Sequence, residues 1–229
     1  MPTPTVRVQF SRVGGPPGEV RVVPTSIFAC DGSVRLGDGS VRACDGSVYI
    51  GLGDTAFDGA VANVSLAFDT DPFISFSIAA VNFTAAPAVF DFTLAIPYSG
   101  GPYAMMSSYL DGVLVEARGD AAGVSPLTLE GVLDGGIVAA LTVSESCVAE
   151  LGIGETADCG PYGPLSAGVT SGAAGVLEAH LAFTLSPNFD AATFGGVIEL
   201  FAPASDVPAP ASALLLAGAL GGLARRRRR

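Results

Sequence analysis

The sequence contains no lysine and no tryptophan, and its 229 residues include a single histidine, His180. One histidine excludes metal sites built from several imidazoles and the H-E-x-x-H pattern of zinc proteases. Without tryptophan there is no indole to stack on the face of a sugar, which counts against carbohydrate binding. Only 14% of the residues are charged, whereas 49% are hydrophobic. This balance excludes an acidic disordered chain and a coiled coil.

Charge is distributed unevenly along the chain. Residues 1–45 carry a net charge of +1, residues 46–206 carry −17 with Arg118 as their one cation, and residues 207–229 carry +5. The overall charge of −11 makes nucleic acid a poor partner, because a phosphate backbone requires a basic surface. The acidic middle part is expected to attract divalent cations instead.

The last 23 residues combine three parts in a fixed order. A proline-spaced motif comes first, an apolar stretch follows at residues 211–224, and a cluster of arginines comes last. As a helix, the apolar stretch would span about 21 Å, which is less than the roughly 30 Å hydrocarbon core of a membrane. The arginine side chains can extend to the membrane surface and the bilayer can thin locally, and together these compensate for the missing length. The motif is Val207, Pro208, Ala209, Pro210 and Ala211, and the cluster is Arg225, Arg226, Arg227, Arg228 and Arg229.

This C-terminal segment resembles the PEP-CTERM family of bacterial sorting signals, most closely its Val-Pro-Leu-Pro-Ala variety. Ala209 stands where the family usually has Glu or Leu. The resemblance implies that an exosortase-type membrane protease is a partner and that the C-terminal helix inserts transiently into the inner membrane, where the arginines retain it. Cleavage near the motif would then deliver the protein to the cell surface or the extracellular matrix.

The chain divides into three parts by composition. Residues 1–46 are predicted to be a Gly-rich segment of low structural content, in which Asp-Gly-Ser-Val recurs at Asp31, Asp38 and Asp45. Because its start has no apolar signal-peptide region, we expect either a true start further upstream or a different export route. Residues 47–205 are predicted to be a β-sandwich domain, and residues 206–229 the sorting signal.

Alternation of apolar and polar residues predicts antiparallel β-structure in the middle part. Clear alternation occurs at 64–68, 90–96 and 177–185, with further β-rich stretches at 73–83, 126–133, 137–143 and 194–201. Turn signals occur at 69–72, 99–102, 111–112 and 134–136. The predicted fold is therefore an all-β antiparallel sandwich or jelly roll, which needs no cofactor to form a core. In the last alternating stretch, Leu177, Ala179, Leu181, Phe183 and Leu185 should face the core, and Glu178, His180 and Thr184 should face away.

The four cysteines fit an exported protein with disulfides. Cys147 and Cys159 bracket one short connection, and Cys30 and Cys44 bracket the Asp-Gly-Ser-Val repeat. Four cysteines permit three connectivities, and the sequence cannot choose among them. A bond between Cys147 and Cys159 is nevertheless expected, and one between Cys30 and Cys44 is the weaker prediction. Zinc ligands usually lie two to four residues apart, much closer than the members of either pair.

Catalytic motifs are scarce. No G-x-S-x-G elbow is present, and His180 is predicted to be a solvated surface residue. Two glycine fingerprints, at 51–56 and 152–157, lack a following helix and are predicted to be loops. Turn acids at Asp54 and Asp58, or at Asp69 and Asp71, are candidates for calcium ligands, with solvated carboxylates as the alternative interpretation. Tyr98 and Tyr103 are the one candidate pair of exposed aromatic residues.

The sequence therefore predicts a non-enzymatic, exported cell-surface or matrix protein. The alternative is a surface module that binds calcium or a polysaccharide, with exopolysaccharide as its partner. A third hypothesis is a secreted hydrolase that uses His180.

Overall fold

The computed structural model describes residues 4–15, 18–24, 26–35, 41–69, 72–99, 103–143, 147–150, 152–170 and 174–202. For residues 28, 30–32, 34, 35 and 41–50 it describes the backbone alone. The sorting motif, the predicted C-terminal helix and the arginine cluster all lie outside these residues. In the part of the chain that is described, no helix has the length and apolar character needed to cross a membrane.

The described residues form fifteen β-strands, which run in chain order from the N-terminus. They are β1 (Thr5–Arg12), β2 (Glu19–Val22), β3 (Ser26–Arg35), β4 (Val41–Phe57), β5 (Ala60–Asp69), β6 (Phe73–Asn82), β7 (Ala88–Ser99), β8 (Met105–Val115), β9 (Ala122–Leu133), β10 (Gly136–Val143), β11 (Cys147–Ala149), β12 (Thr156–Asp158), β13 (Tyr162–Gly168), β14 (Ala174–Leu185) and β15 (Ala191–Phe201).

The strands form two antiparallel sheets that make a sandwich-like body. The seven-stranded sheet has the order β10-β9-β14-β7-β1-β2, and β11 pairs with β9. The eight-stranded sheet has the order β12-β8-β15-β6-β5-β4-β3, and β13 pairs with β8. These sheets confirm the predicted all-β antiparallel class.

Alternating side chains fill the core between the sheets. In β14 the predicted facing is confirmed, because Leu177, Leu181 and Leu185 are fully buried while Glu178 and His180 are only half-buried. The ring of Phe183 on this strand lies 4.9 Å from the ring of Phe194 on β15, so the two sheets touch through aromatic residues. Buried alternate positions on both inner faces are what a sandwich requires.

The predicted low structural content of residues 1–46 is wrong for the described residues. β1 lies inside the seven-stranded sheet, where Val8 pairs with Phe92 of β7. Val6, Val8 and Phe10 are buried. The Gly-rich composition of the segment hides this short alternating run, which is enough to form a strand. The predicted boundary after residue 46 also falls inside β4.

Two predicted loops are strands. Asp111–Gly112 lies inside β8, and the first glycine fingerprint, at 51–56, lies inside β4. Glycine is required at position 112 because a Cβ there would lie 2.3 Å from the Phe194 ring. In contrast, the turn at Asp134–Gly135 is confirmed: both residues have positive φ and connect β9 to β10.

Candidate functional site

Three carboxylates meet at one end of the sandwich, where the chain leaves β8 and where it enters β15. Val115 and Ala191 are in register at the ends of these adjacent antiparallel strands. The next residue outward on each strand is an acid, Glu116 on one and Asp190 on the other. Asp120 joins them from the connection between β8 and β9. One carboxylate oxygen of each acid lies within 4.8 Å of the others, and we call this group the carboxylate cluster.

Glu116 is fully buried, and its two carboxylate oxygens have different surroundings. Its Oε1 accepts hydrogen bonds from the backbone N–H groups of Arg118, Gly119 and Asp120. These three donors anchor the carboxylate in one orientation. Its Oε2 has no hydrogen-bond partner among the described residues. A buried acceptor left in this state costs about 1–3 kcal/mol, and more when it carries charge.

Asp190 is the second buried acid, with 1% of its surface exposed. Burial raises the pKa of its carboxyl, and the nearby charges of Asp120 and Glu116 raise it further. Hydrogen bonds from the Ser186 hydroxyl to Oδ2 and from the Ala117 N–H to Oδ1 lower the pKa in part. The side chain is therefore held in place at both oxygens while remaining costly to ionise.

The loop that carries Asp190 is fixed by a buried asparagine, Asn82, at the end of β6. Its side-chain Nδ2 donates to the carbonyl of Ser186 at 3.0 Å, and its backbone N–H donates to the carbonyl of Asp190 at 3.1 Å. Asn188 and Phe189 in this loop both have positive φ. The loop shape is thus determined by hydrogen bonds to the sheet, which hold non-glycine residues in a conformation they seldom adopt.

Asp120 is the exposed member of the carboxylate cluster, and it faces the same loop. Its Oδ2 accepts a hydrogen bond of 2.9 Å from Asn188 Nδ2. Arg118 lies in the same connection as Asp120, and its guanidinium lies over the ring of Phe189 at 4.6 Å. Among the described residues, no ion pair reaches the three acids. In the part of the chain that the structure describes, the carboxylate cluster is therefore an acidic group without a cationic partner.

The predicted disulfide between Cys147 and Cys159 is present, with a Cα–Cα distance of 5.5 Å. Cys147 begins β11, which pairs with β9 in the seven-stranded sheet. Cys159 directly follows β12, which pairs with β8 in the eight-stranded sheet. The bond therefore links the two layers of the sandwich. The side chains of the other predicted pair, Cys30 and Cys44, lie outside the described residues.

The structure does not bring the sequence-predicted calcium candidates into the carboxylate cluster. Asp54 is exposed on β4, and Asp58 lies in the following turn, where its Oδ2 is 3.2 Å from Arg12 Nη2. Asp69 is buried at the end of β5. Asp71 lies outside the described residues.

Three further predictions concern aromatic and imidazole side chains and glycine loops. His180 lies on the outer face of β14, where Nε2 is 2.7 Å from Glu178 Oε2. Tyr98 and Tyr103 are buried and pack edge to face, so the prediction that they are exposed is wrong. Both tyrosines belong to the buried hydrophobic core.

The second glycine fingerprint, at 152–157, forms a turn that leads into β12.

None of the three clustered acids stands out in the sequence. Glu116 and Asp120 belong to a short polar stretch with Gly119, and Asp190 follows Asn188 in another turn-like stretch. Each stretch is typical of a surface connection. Their separation of about seventy residues hides the cluster, because only the pairing of β8 with β15 brings them together.

No protein-family model matches this sequence, and no curated protein matches it. Among solved structures, the chain is similar to a structure of infectious bursal disease virus Gx strain, at 12% identity and a TM-score of 0.25. That alignment covers 95% of this chain and 73% of the viral chain. A structure of the Gt strain is similar at 11% identity and a TM-score of 0.16, over 96% and 72% of the two chains. Similarity at these scores supports no conclusion about fold or function.

Proposed function

We propose that this protein is an exported component of the cell surface or extracellular matrix, and that residues 206–229 form its sorting signal. The observation that carries the proposal is the order of the three C-terminal parts: proline motif, apolar stretch and terminal arginines. This order suits a segment that stalls in the inner membrane with its arginines on the cytoplasmic side. An exosortase-type protease would then cleave near the motif.

The disulfide in the body supports export. Disulfides form and persist in oxidising compartments and are rare in the cytosol. Here the bond between Cys147 and Cys159 joins strands of the two sheets, so it contributes to the fold itself. A protein built in this way is suited to a compartment outside the cytoplasm.

A structural or binding role, and not catalysis, fits the body best. The lone histidine, His180, is paired with Glu178 on the same strand. Both residues point away from the core on a regular strand of the sheet. A nucleophile activated by this imidazole would need to share a shaped site with it, and a position on the outer face of a regular strand does not by itself provide one.

The proposal is tested by expressing the full chain in two strains of a bacterium, one with an exosortase-type protease and one without it. With the protease, we expect the mass of the product to show loss of the segment after residues 207–211, and the product to reach the envelope or the medium. Without the protease, the chain should remain intact and membrane-associated.

A matched variant separates motif recognition from membrane insertion. The double substitution Pro208→Ala and Pro210→Ala keeps the apolar stretch and the arginines, so it should insert but stay uncleaved in both strains. If the native chain is intact and in the same compartment in both strains, the proposed sorting function is wrong.

A further inference from the structure

We infer that Glu116, Asp120 and Asp190 bind a calcium ion at the end of the sandwich where β8 meets β15. The inference goes beyond the proposed export and does not depend on it, because all three residues lie in the body. It also differs from the sites suggested by the sequence, since it uses none of Asp54, Asp58, Asp69 and Asp71.

The first argument is Glu116 Oε2, which finds no hydrogen-bond partner in the part of the chain that the structure describes. The residue is fully buried, and three backbone N–H groups on Oε1 prevent the carboxylate from turning its other oxygen toward solvent. One carboxylate oxygen of Glu116 lies with the ligand atoms of Asp120 and Asp190 in the carboxylate cluster. A buried charged oxygen requires a compensating partner, and a cation held between the acids supplies one.

The second argument is the distance between the three oxygens. Calcium binds oxygen ligands at about 2.3–2.6 Å, so two ligands of one ion lie at most about 5 Å apart. The ligand atoms of the carboxylate cluster lie within 4.8 Å of one another. This spacing falls within the distance that two ligands of one calcium ion can span.

The third argument is the chemistry of the donors. All three are carboxylate oxygens, which calcium and magnesium prefer, whereas zinc and copper favour imidazole and thiolate. His180 is paired with Glu178 on β14, and Cys147 and Cys159 are joined in the disulfide. Calcium accepts irregular geometry from protein ligands, whereas magnesium requires a near-ideal octahedron. Three acids anchored on two separate loops match the irregular geometry that calcium accepts.

The fourth argument is charge and rigidity. Within the described residues the three acids make no ion pair, and residues 46–206 contain Arg118 as their single cation. Its guanidinium lies over the Phe189 ring and not against the carboxylates. Asn82 and Ser186 hold the Asp190 loop by hydrogen bonds. A site whose ligands are already in place loses little conformational entropy when the ion binds.

The test uses the purified full chain, freed of metal with EDTA and then titrated with calcium chloride. We expect heat of binding in calorimetry and a rise in melting temperature of about 3–10 °C at 10 mM, for a dissociation constant of about 0.1–1 mM. Magnesium chloride at 10 mM should give a clearly smaller rise.

Amino-acid substitutions test which residues are responsible for the calcium response. Glu116→Gln keeps the Oε1 acceptor and removes a buried charge. In EDTA this variant should therefore have a melting temperature equal to or above that of the native chain, and it should no longer respond to calcium. Asp120→Asn alters an exposed side chain and should leave folding intact while weakening calcium binding about tenfold. Glu130→Gln and Asp54→Asn change charge to the same extent elsewhere and should keep the full response.

Several results would overturn the inference. A folded native chain whose melting temperature and calorimetric heat do not change up to 10 mM calcium would show that the carboxylate cluster does not bind the ion. The same conclusion follows if Glu116→Gln fails to fold and Asp120→Asn binds calcium as the native chain does. Loss of the response in Asp54→Asn would place the site on β4, and equal binding of magnesium would exclude a calcium-selective site.

Discussion

Replacing Gly112 by alanine should strongly destabilise the sandwich. Gly112 lies on the inward face of β8 between Leu110 and Leu114, and it is paired with Phe194 of β15. An alanine Cβ would lie 2.3 Å from Phe194 Cδ1 and 2.8 Å from the backbone oxygen of Thr193. Ordinary contacts begin near 3.4 Å, so the ring must move by more than 1 Å.

The ring has little space in which to move. Phe194 is fully buried, and its centroid is 4.9 Å from that of Phe183 in the opposite sheet. Overpacking of this kind costs about 1–3 kcal/mol. We expect about 3 kcal/mol for Gly112→Ala, because the Thr193 carbonyl contact persists even when the ring rotates away.

Urea unfolding with the disulfide intact measures this effect. At an m-value of about 2–3 kcal/mol/M, a loss of 3 kcal/mol lowers the midpoint by about 1 M without changing the slope. Gly123→Ala on β9 is the matched control, since its nearest non-neighbour atom would be 4.0 Å from the new Cβ. That variant should remain within about 0.5 kcal/mol of the native chain or be slightly more stable.

A double variant tests the assigned cause. Adding Phe194→Leu to Gly112→Ala removes part of the clashing ring, so the two changes together should cost less than the sum of their separate effects. A Gly112→Ala chain with the same midpoint as Gly123→Ala, or strict additivity with Phe194→Leu, would refute the reasoning.

Three further predictions concern the disulfide, a buried phenol and the asparagine beside the carboxylate cluster. Replacing both Cys147 and Cys159 by serine should lower the free energy of unfolding by about 3 kcal/mol, because the bond closes a short loop in the unfolded chain; melting with and without reductant provides the check. Burial, together with Asp134, raises the pKa of Tyr98, so the unfolded chain releases this proton first. The free energy of unfolding should therefore fall as the pH rises above about 10, and Tyr98→Phe should reduce that fall in urea unfolding between pH 9 and 11. Asn82→Ala removes the donor that serves three buried or part-buried backbone carbonyls, and it should cost about 2–4 kcal/mol in urea unfolding. It should also weaken the calcium response.

Period-two patterns were the most reliable guide to the fold. The facing of Leu177, Phe183 and Leu185 is confirmed, since a half-buried strand can be recognised from its own residues. The Asp134–Gly135 turn is confirmed for a similar reason, because positive φ at both positions favours these residue types.

Predictions based on glycine alone were less successful. Gly112 and Gly51 look like turn residues, yet both lie in strands. At each position a side chain of the neighbouring strand occupies the space of the missing Cβ, Phe194 over Gly112 and Leu66 over Gly51. A glycine selected for close packing cannot be distinguished from one selected for a turn without knowing its partner.

The sequence by itself determined the β class and the alternating core positions, because each depends on residues close together in the chain. It predicted a bond between Cys147 and Cys159 but left the connectivity of the cysteines open, and the structure shows that bond. Only the tertiary structure decided where the acids meet. The register of Val115 with Ala191 brings Glu116 and Asp190 to the same end of adjacent strands. No local pattern encodes this, since it results from the way two distant segments pair across the sheet.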